Sequence, residues 1–168
     1  MGTTEEVIQY ISRYGAILIF ALLYLEQLNF PGLSATLILP AIGIFIAKTD
    51  NSFLWIFIVS LSAAISGSIT LYLIGYWIGQ PILDWIKKKF PKSEKRIDKV
   101  LEYLEKYGSK GALICRFIPG IRTIISLISG AVRENFYQFF IYSSLGIALW
   151  NLGLILFGYL TTTTFFGK

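Results

Sequence analysis

The 168-residue sequence contains no histidine, one cysteine and one methionine, and only 15% of its residues are charged. Without histidine the common zinc sites and the histidine-based nucleophilic triads cannot be built, and Cys115 alone cannot form a disulfide within the chain. The missing charge says more. No Asp, Glu, Lys or Arg occurs from Asn51 to Leu83 or from Asn135 to Gly167, and each run exceeds the roughly 20 apolar residues that cross a hydrocarbon core about 30 Å thick. With 55% hydrophobic residues and a mean hydropathy of +0.64, the balance excludes a soluble domain and predicts a multi-pass membrane protein. No basic stretch followed by a short apolar core and a small-residue cleavage site opens the chain, so no removable signal peptide is expected.

The charges that are present cluster. Net charge is +5, and nine of the fifteen Lys and Arg residues fall between Lys87 and Lys110 beside an apolar span. That placement marks a cytoplasmic loop near anionic lipid rather than a nucleic-acid surface. Within it Ile97, Val100, Leu101 and Leu104 recur at helical spacing among Lys95, Arg96, Lys99, Glu102 and Glu105. Residues 84–110 therefore predict an amphipathic cytoplasmic helix closed by Gly108.

Proline is scarce, and two of the five prolines stand directly before glycine, at Pro31-Gly32 and Pro119-Gly120. Thr3 to Arg13 reads as a short helix that lies at the interface or leads into the bilayer, after which Ala16–Leu25 and Leu33–Ala47 form two apolar arms around Asn29-Phe30-Pro31-Gly32. An arm of about 14 residues reaches roughly 21 Å, too short to span alone, while the two together are too long for one straight helix. Because Pro-Gly disfavours helix at and before the proline, the arms predict a hairpin that enters the membrane and leaves on the same side. Such freed backbone is tolerated only inside a bundle or along a cavity, which points to a functional interior.

The second half repeats this plan. Gly111–Cys115 is apolar, the chain breaks at Ile118-Pro119-Gly120, and an apolar arm runs to Gly130. Phe53–Ile78 and Phe136–Leu160 read as full spans, with Ser60, Ser62, Ser66, Gly67 and Ser68 on the first and Gly146 and Gly153 on the second available for close packing. A shift of 83 positions superposes Phe53 on Phe136, Phe57 on Phe140, Ser60 on Ser143, Leu71 on Leu154 and Gly75-Tyr76 on Gly158-Tyr159. A hairpin returns to its own side and a span changes sides, so the two hairpins enter from opposite faces. The expected fold is an all-α membrane protein, a single domain over 1–168, built as an inverted repeat of re-entrant helical hairpin plus transmembrane helix. Repeat 1 covers about 15–80, the amphipathic linker 84–110 and repeat 2 about 111–160. An interfacial helix plus four tilted spans is the rival architecture.

Arg116 and Arg122 are the sharpest signal for chemistry. Each is permanently charged, and burying one in the membrane costs several kcal/mol unless it pairs or meets water. Both flank the Pro119-Gly120 break, which lets them converge on one anion, and phosphate is the natural guest. The structural alternative is that one arginine snorkels to the headgroups while the other pairs with Glu26. Glu26, between apolar runs, either neutralises an arginine or takes up and releases a proton. Gly32 and Gly120 could offer freed N–H groups to a phosphate oxygen, although they, Gly43 and Gly130 read more simply as backbone devices. Trp55, Trp77, Trp85 and Trp150 read as interfacial anchors or packing. No constellation of nucleophile and base, metal cluster or cofactor motif is present, so neither an enzyme nor a resident cofactor or metal is expected.

Glu26 before Phe30-Pro31-Gly32, Gly75-Tyr76-Trp77-Ile78-Gly79, Arg116-Phe117-Ile118-Pro119-Gly120-Ile121-Arg122-Thr123, Ser129-Gly130 and Trp150 together resemble the DedA family, whose VTT domain is shared with eukaryotic lipid scramblases. The resemblance runs from about Gly15 to Leu160. It implies a cytoplasmic-membrane protein that moves a phosphorylated lipid such as undecaprenyl phosphate between leaflets, driven by the membrane potential or proton gradient. It also implies that Glu26 is the membrane-embedded acid and that Arg116 and Arg122 are the essential arginine pair. Leu33 stands where many members carry a second acid, a departure that favours passive flipping. Members commonly continue into a further helix beyond the position of Lys168, so a second copy of the chain is one expected source of the missing wall. Three functions follow: a lipid flippase or scramblase, a proton-coupled small-ion transporter or channel, and a noncatalytic membrane scaffold whose charges lock the fold.

Overall fold

The computed structural model describes residues 2–28, 34–49, 52–89, 91–118, 121–122 and 124–166, with backbone alone for 2–14, 91–93, 96 and 165–166. Among the described residues the fold is all helical: α1 (Gly2–Gln27), α2 (Ala35–Lys48), α3 (Phe53–Ile78), α4 (Gln80–Lys89), α5 (Pro91–Tyr107), α6 (Lys110–Arg116), α7 (Ile124–Ala131) and α8 (Phe136–Phe166). The chain divides into two compact units, one of Met1–Glu26, Phe30–Ala64 and Asn151–Lys168, the other of Gln27–Asn29 and Ile65–Trp150.

The long helices α3 and α8 begin at Phe53 and Phe136, the residues where charge-free sequence predicts them to begin. Both are long and apolar enough to cross a membrane by length and composition. Between Ser60 and Ser68 the faces of α3 are sorted by size rather than polarity. Along α3 the buried positions Ser60, Ala63, Ala64, Gly67 and Ser68 are small, while Leu54, Trp55, Ile58, Leu73 and Trp77 point outward. In water this would be an inverted helix; in lipid, where apolar side chains gain nothing by leaving the tails, small inward residues let backbones approach and large apolar ones face the acyl chains. Asn135 starts α8 by accepting the Tyr137 and Gln138 backbone N–H groups at 3.1 and 3.2 Å, which satisfies two donors that the first turn cannot pair.

Three expectations are corrected. The separate interfacial reading of Thr3–Arg13 gives way to its alternative: the segment runs on into the first arm as one helix, α1, whose buried Ile19, Leu23, Glu26 and Gln27 form a single stripe at helical spacing. The linker is two helices rather than one, because Pro91 disfavours helix at the residue before it and suits the first position of a new helix. Gly108, at φ +56°, ends α5 with its N–H on the Leu104 carbonyl, the left-handed cap expected of it. The third correction concerns α8. Gly146 meets neighbouring side chains, but a Cβ on Gly153 would meet nothing within 4 Å, so Gly153 faces open space.

The Pro31-Gly32 and Pro119-Gly120 turns lie outside the described residues. Of the helices that flank them α1 is long, with 26 residues, but α2 has 14, α6 seven and α7 eight, so at 1.5 Å per residue none of these three reaches across a 30 Å core. In the second unit α6 packs on α7, and both are covered by α5, whose Ile97 and Val100 are fully buried with Cys115, Ile125 and Ile128. The Lys87–Asp98 pair at 2.6 Å joins α4 to α5; exposed as it is, it contributes at most about 1 kcal/mol.

Each unit also contains a crossing where two helices touch backbone to backbone at a pair of glycines. In the first, a Cβ on Gly43 of α2 would lie 2.1 Å from the Ile155 carbonyl oxygen of α8 and one on Gly158 would lie 2.1 Å from the Pro40 carbonyl oxygen. In the second, a Cβ on Gly130 of α7 would lie 2.0 Å from the Tyr72 carbonyl oxygen of α3 and one on Gly75 would lie 2.1 Å from the Leu127 carbonyl oxygen. The same positions serve in both. Tyr72, Gly75 and Tyr76 shifted by 83 become Ile155, Gly158 and Tyr159, while Pro40 and Gly43 shifted by 87 become Leu127 and Gly130.

Candidate functional site

Arg116 is the last residue of α6 and is only 3% exposed. Its Nη2 donates to Ser68 Oγ of α3 at 2.6 Å and to Ser126 Oγ of α7 at 2.9 Å, and the two hydroxyls lie 2.9 Å apart. This triangle has a hydrogen left over. Nη2 spends both of its hydrogens and one hydroxyl donates to the other, so the accepting hydroxyl keeps a free O–H. Arg116 Nε is also buried without a partner. The stem of Arg116 fits against α8 only because residue 146 is glycine, since a Cβ there would sit 2.9 Å from Arg116 Cδ.

That contact fixes the face of α8 turned to the arginine. Ser143 and Trp150 lie three residues before and four after Gly146, hence on the same side, and both Ser143 Oγ and Trp150 Nε1 are buried without hydrogen-bond partners. Ser129, three residues after Ser126 on α7, has an unpartnered Oγ as well. Trp150 also meets a residue on either side of the Pro119-Gly120 break. Phe117 meets its ring edge-on at 6.4 Å, and the Arg122 guanidinium lies over it at 5.6 Å from the centroid. Residues 111–133 contain no Asp or Glu, so the hairpin carries only positive charge.

The structure thus brings Arg116 and Arg122 to one hairpin and one tryptophan. Glu26 is 7% exposed at the end of α1, in the first unit. Gly32 and Gly120 lie outside the described residues. Among those described, no group of three His, Cys, Asp or Glu gathers as a metal site would require. Sequence reasoning missed Ser68, Ser126 and Trp150 as partners of the arginines. The signal for Ser126 is a hydroxyl in an arm otherwise made of Ile, Leu, Gly and Ala. Ser68 reads as one more small residue in a packing stripe, and Trp150 as a possible anchor, although it is far more covered than Trp77, which is 83% exposed.

Comparisons with known proteins place the chain in a family. Residues 30–160 match the model of the VTT domain. This chain belongs to the VTT-domain, or DedA, family. Undecaprenyl phosphate transporter A of Staphylococcus aureus is 34% identical over 163 residues, covering 92% of this chain and 78% of that protein. A Bacillus subtilis protein of the same name is 27% identical over 155 residues, 87% of this chain and 77% of its own length. Protein DedA of Escherichia coli is 28% identical over 157 residues, 89% and 71%. No solved structure matches. The VTT-domain match covers α2 to α8 as far as Leu160, hence the arginine hairpin and both long helices.

The glycine seat is testable. Gly146→Val should displace the Arg116 stem and lower the melting temperature by several degrees, whereas Gly153→Ala, facing open space, should leave it unchanged or slightly raised. Differential scanning fluorimetry of the purified variants reads both; equal effects would mean that Gly146 does not hold the arginine.

Proposed function

We propose that this VTT-domain protein carries a phosphorylated lipid, a polyprenyl phosphate, from one leaflet of the cytoplasmic membrane to the other. One observation carries the reading: around Arg116 the buried, unpartnered groups are N–H and O–H donors (Arg116 Nε, Ser129, Ser143, Trp150 Nε1) with no acidic residue in the hairpin. A buried donor surplus costs roughly 1–3 kcal/mol per group until an acceptor arrives, and a phosphate brings three acceptor oxygens and negative charge. Arg116 supplies the deep contact and Arg122, held over Trp150, the outer one. Gly32 and Gly120 remain, from the sequence alone, candidate backbone N–H donors to a phosphate.

In this reading α6 and α7 form a re-entrant hairpin, α2 is an arm of its counterpart, and the two repeats are inverted. The support is that the two glycine crossings use equivalent residues of each half. Alternating exposure of a midplane site is then the expected transport mode. Glu26, buried in an apolar segment, is the residue assigned to proton coupling.

Reconstituted protein is expected to move a labelled polyprenyl phosphate across liposomes much faster than a neutral-headgroup lipid, with the difference lost in Arg122→Ala. Equal transfer of both lipids would instead mean an unselective scramblase. No transfer, with currents or pH changes that need no lipid substrate, would mean an ion transporter. If apolar replacement of Arg116 and Glu26 together left activity in cells intact, the charges would be scaffolding alone.

A further inference from the structure

Folding divides the nine basic residues of Lys87–Lys110 among three helices, and the division is uneven. α5 carries five Lys and Arg against four Asp and Glu over 17 residues, so its charges nearly cancel. α4 carries three lysines against Asp84 alone within ten residues. Their apolar sides differ as well. Ile97, Val100, Leu101 and Leu104 of α5 are spent on the protein core, whereas Trp85 of α4 is 54% exposed. A helix that rests on a membrane needs cations and an uncovered apolar group on one side, and α4 offers both. We propose that the outer face of α4 docks on the anionic headgroups of the membrane surface, with Trp85 inserted at the interface and Lys88 and Lys89 against lipid phosphates.

Pro81, Trp85, Lys88 and Lys89 share the exposed side of α4, while Ile82, Leu83 and Ile86 pack inward on the core shared with α5, α6 and α7. The Lys89 ammonium lies 4.5 Å from the centroid of the Trp85 ring, so ring and cation form one unit with an apolar body and a charged tip. Lys87 is engaged with Asp98 of α5, so Lys88 is the principal headgroup contact and Lys89 the one tied to the ring. Continuity with the span gives the depth. α3 ends at Ile78 beside Trp77, which is 83% exposed, and Gly79 alone, at φ +70°, turns the chain into α4. The helix therefore starts at the level where the apolar span stops, which is where tryptophan and lysine are both favoured. Because α4 packs on α5 and α7, its seat on the membrane also sets the depth of the hairpin arm α7.

Emission from Trp85, taken as the difference between the full chain and Trp85→Phe in phosphatidylcholine vesicles, should be quenched by lipids brominated near the glycerol end of their acyl chains. Brominated phosphatidylglycerol should quench at least about twofold more than brominated phosphatidylcholine at equal mole fraction, since each lysine at the surface favours anionic lipid. Raising the salt to about 1 M, where the screening length falls to about 3 Å, should remove the preference without any substitution. Lys88→Gln with Lys89→Gln should remove it as well, and Lys95→Gln with Lys99→Gln, on α5, should leave it in place. Unquenched Trp85 emission would put α4 in water, equal quenching by both lipids would leave no anionic contact, and a preference that follows the α5 lysines would move the contact to α5; each overturns the assignment. None of these readouts needs phosphate transport, so this proposal and the transport reading can fail separately.

Discussion

Arg116→Met is expected to lower polyprenyl phosphate transfer at least about 100-fold while shifting the melting temperature by only a few degrees. Charge-assisted hydrogen bonds contribute about 1.5–3 kcal/mol each, so losing two toward a phosphate accounts for that factor or more. The fold is spared for a structural reason. Methionine keeps apolar volume against Gly146, and Ser68 and Ser126, 2.9 Å apart, remain paired with each other when the guanidinium leaves. Removing the serines instead should be worse for stability. Ser68→Ala with Ser126→Ala strips both Nη2 hydrogens of their acceptors and leaves a buried charge unpaired, which costs about 3–5 kcal/mol. Thermal unfolding beside the liposome assay separates the two effects. An unfolded Met variant together with a harmless serine double variant would reverse the assignment and make Arg116 a structural residue.

Gly130→Ala is expected to destabilise the protein by about 3 kcal/mol, the upper range for overpacking, and to weaken transfer as well. The new methyl would sit 2.0 Å from the Tyr72 carbonyl oxygen, and backbone cannot rotate aside as a side chain can, so α7 must back away from α3 by more than an ångström. Ser126 lies four residues before Gly130 and Ser68 four before Tyr72, so the hydroxyl pair that holds Arg116 sits one helical turn from the obstruction. Gly43→Ala should cost a similar amount by blocking α2 against α8, but without touching the serines. Both are read by thermal melts and the transfer assay. A neutral Gly43→Ala beside a severe Gly130→Ala would show the two crossings to be unequal.

The spans were legible because absence of charge over 33 or so residues has one physical meaning, and the start of each at Phe53 and Phe136 follows from it. Gly108 was legible because the cap is a local device. The division between α4 and α5 was open to a closer reading of Pro91, whose restriction on the preceding residue is also local. The continuity of α1 was hidden, since a change from charged to apolar composition at Ala16 alters a helix's surroundings without ending the helix. Arginine positions stood out by their cost in lipid, but their partners did not. Ser68 and Arg116 are 48 residues apart, and nothing at either position announces the other before α3, α6 and α7 are packed. The glycine crossings fall between: the glycines were visible as backbone devices, and which backbone each would meet was not.

The crossing of α2 with α8 carries a consequence for assembly. Gly43 is synthesised more than a hundred residues before Ile155 and Gly158, so the face of α2 that it forms has no backbone to meet until the last helix emerges. Contacts so distant along the chain close late and slowly. The first unit is therefore completed from the C-terminal end, whereas α3 and α7, joined through Gly75 and Gly130, can meet while α8 is still to come. A nascent chain halted before Phe136 would hold its arginine hairpin beside a finished α3 and leave α2 to the lipid, a half-built protein whose quality control has to read the absence of a single helix.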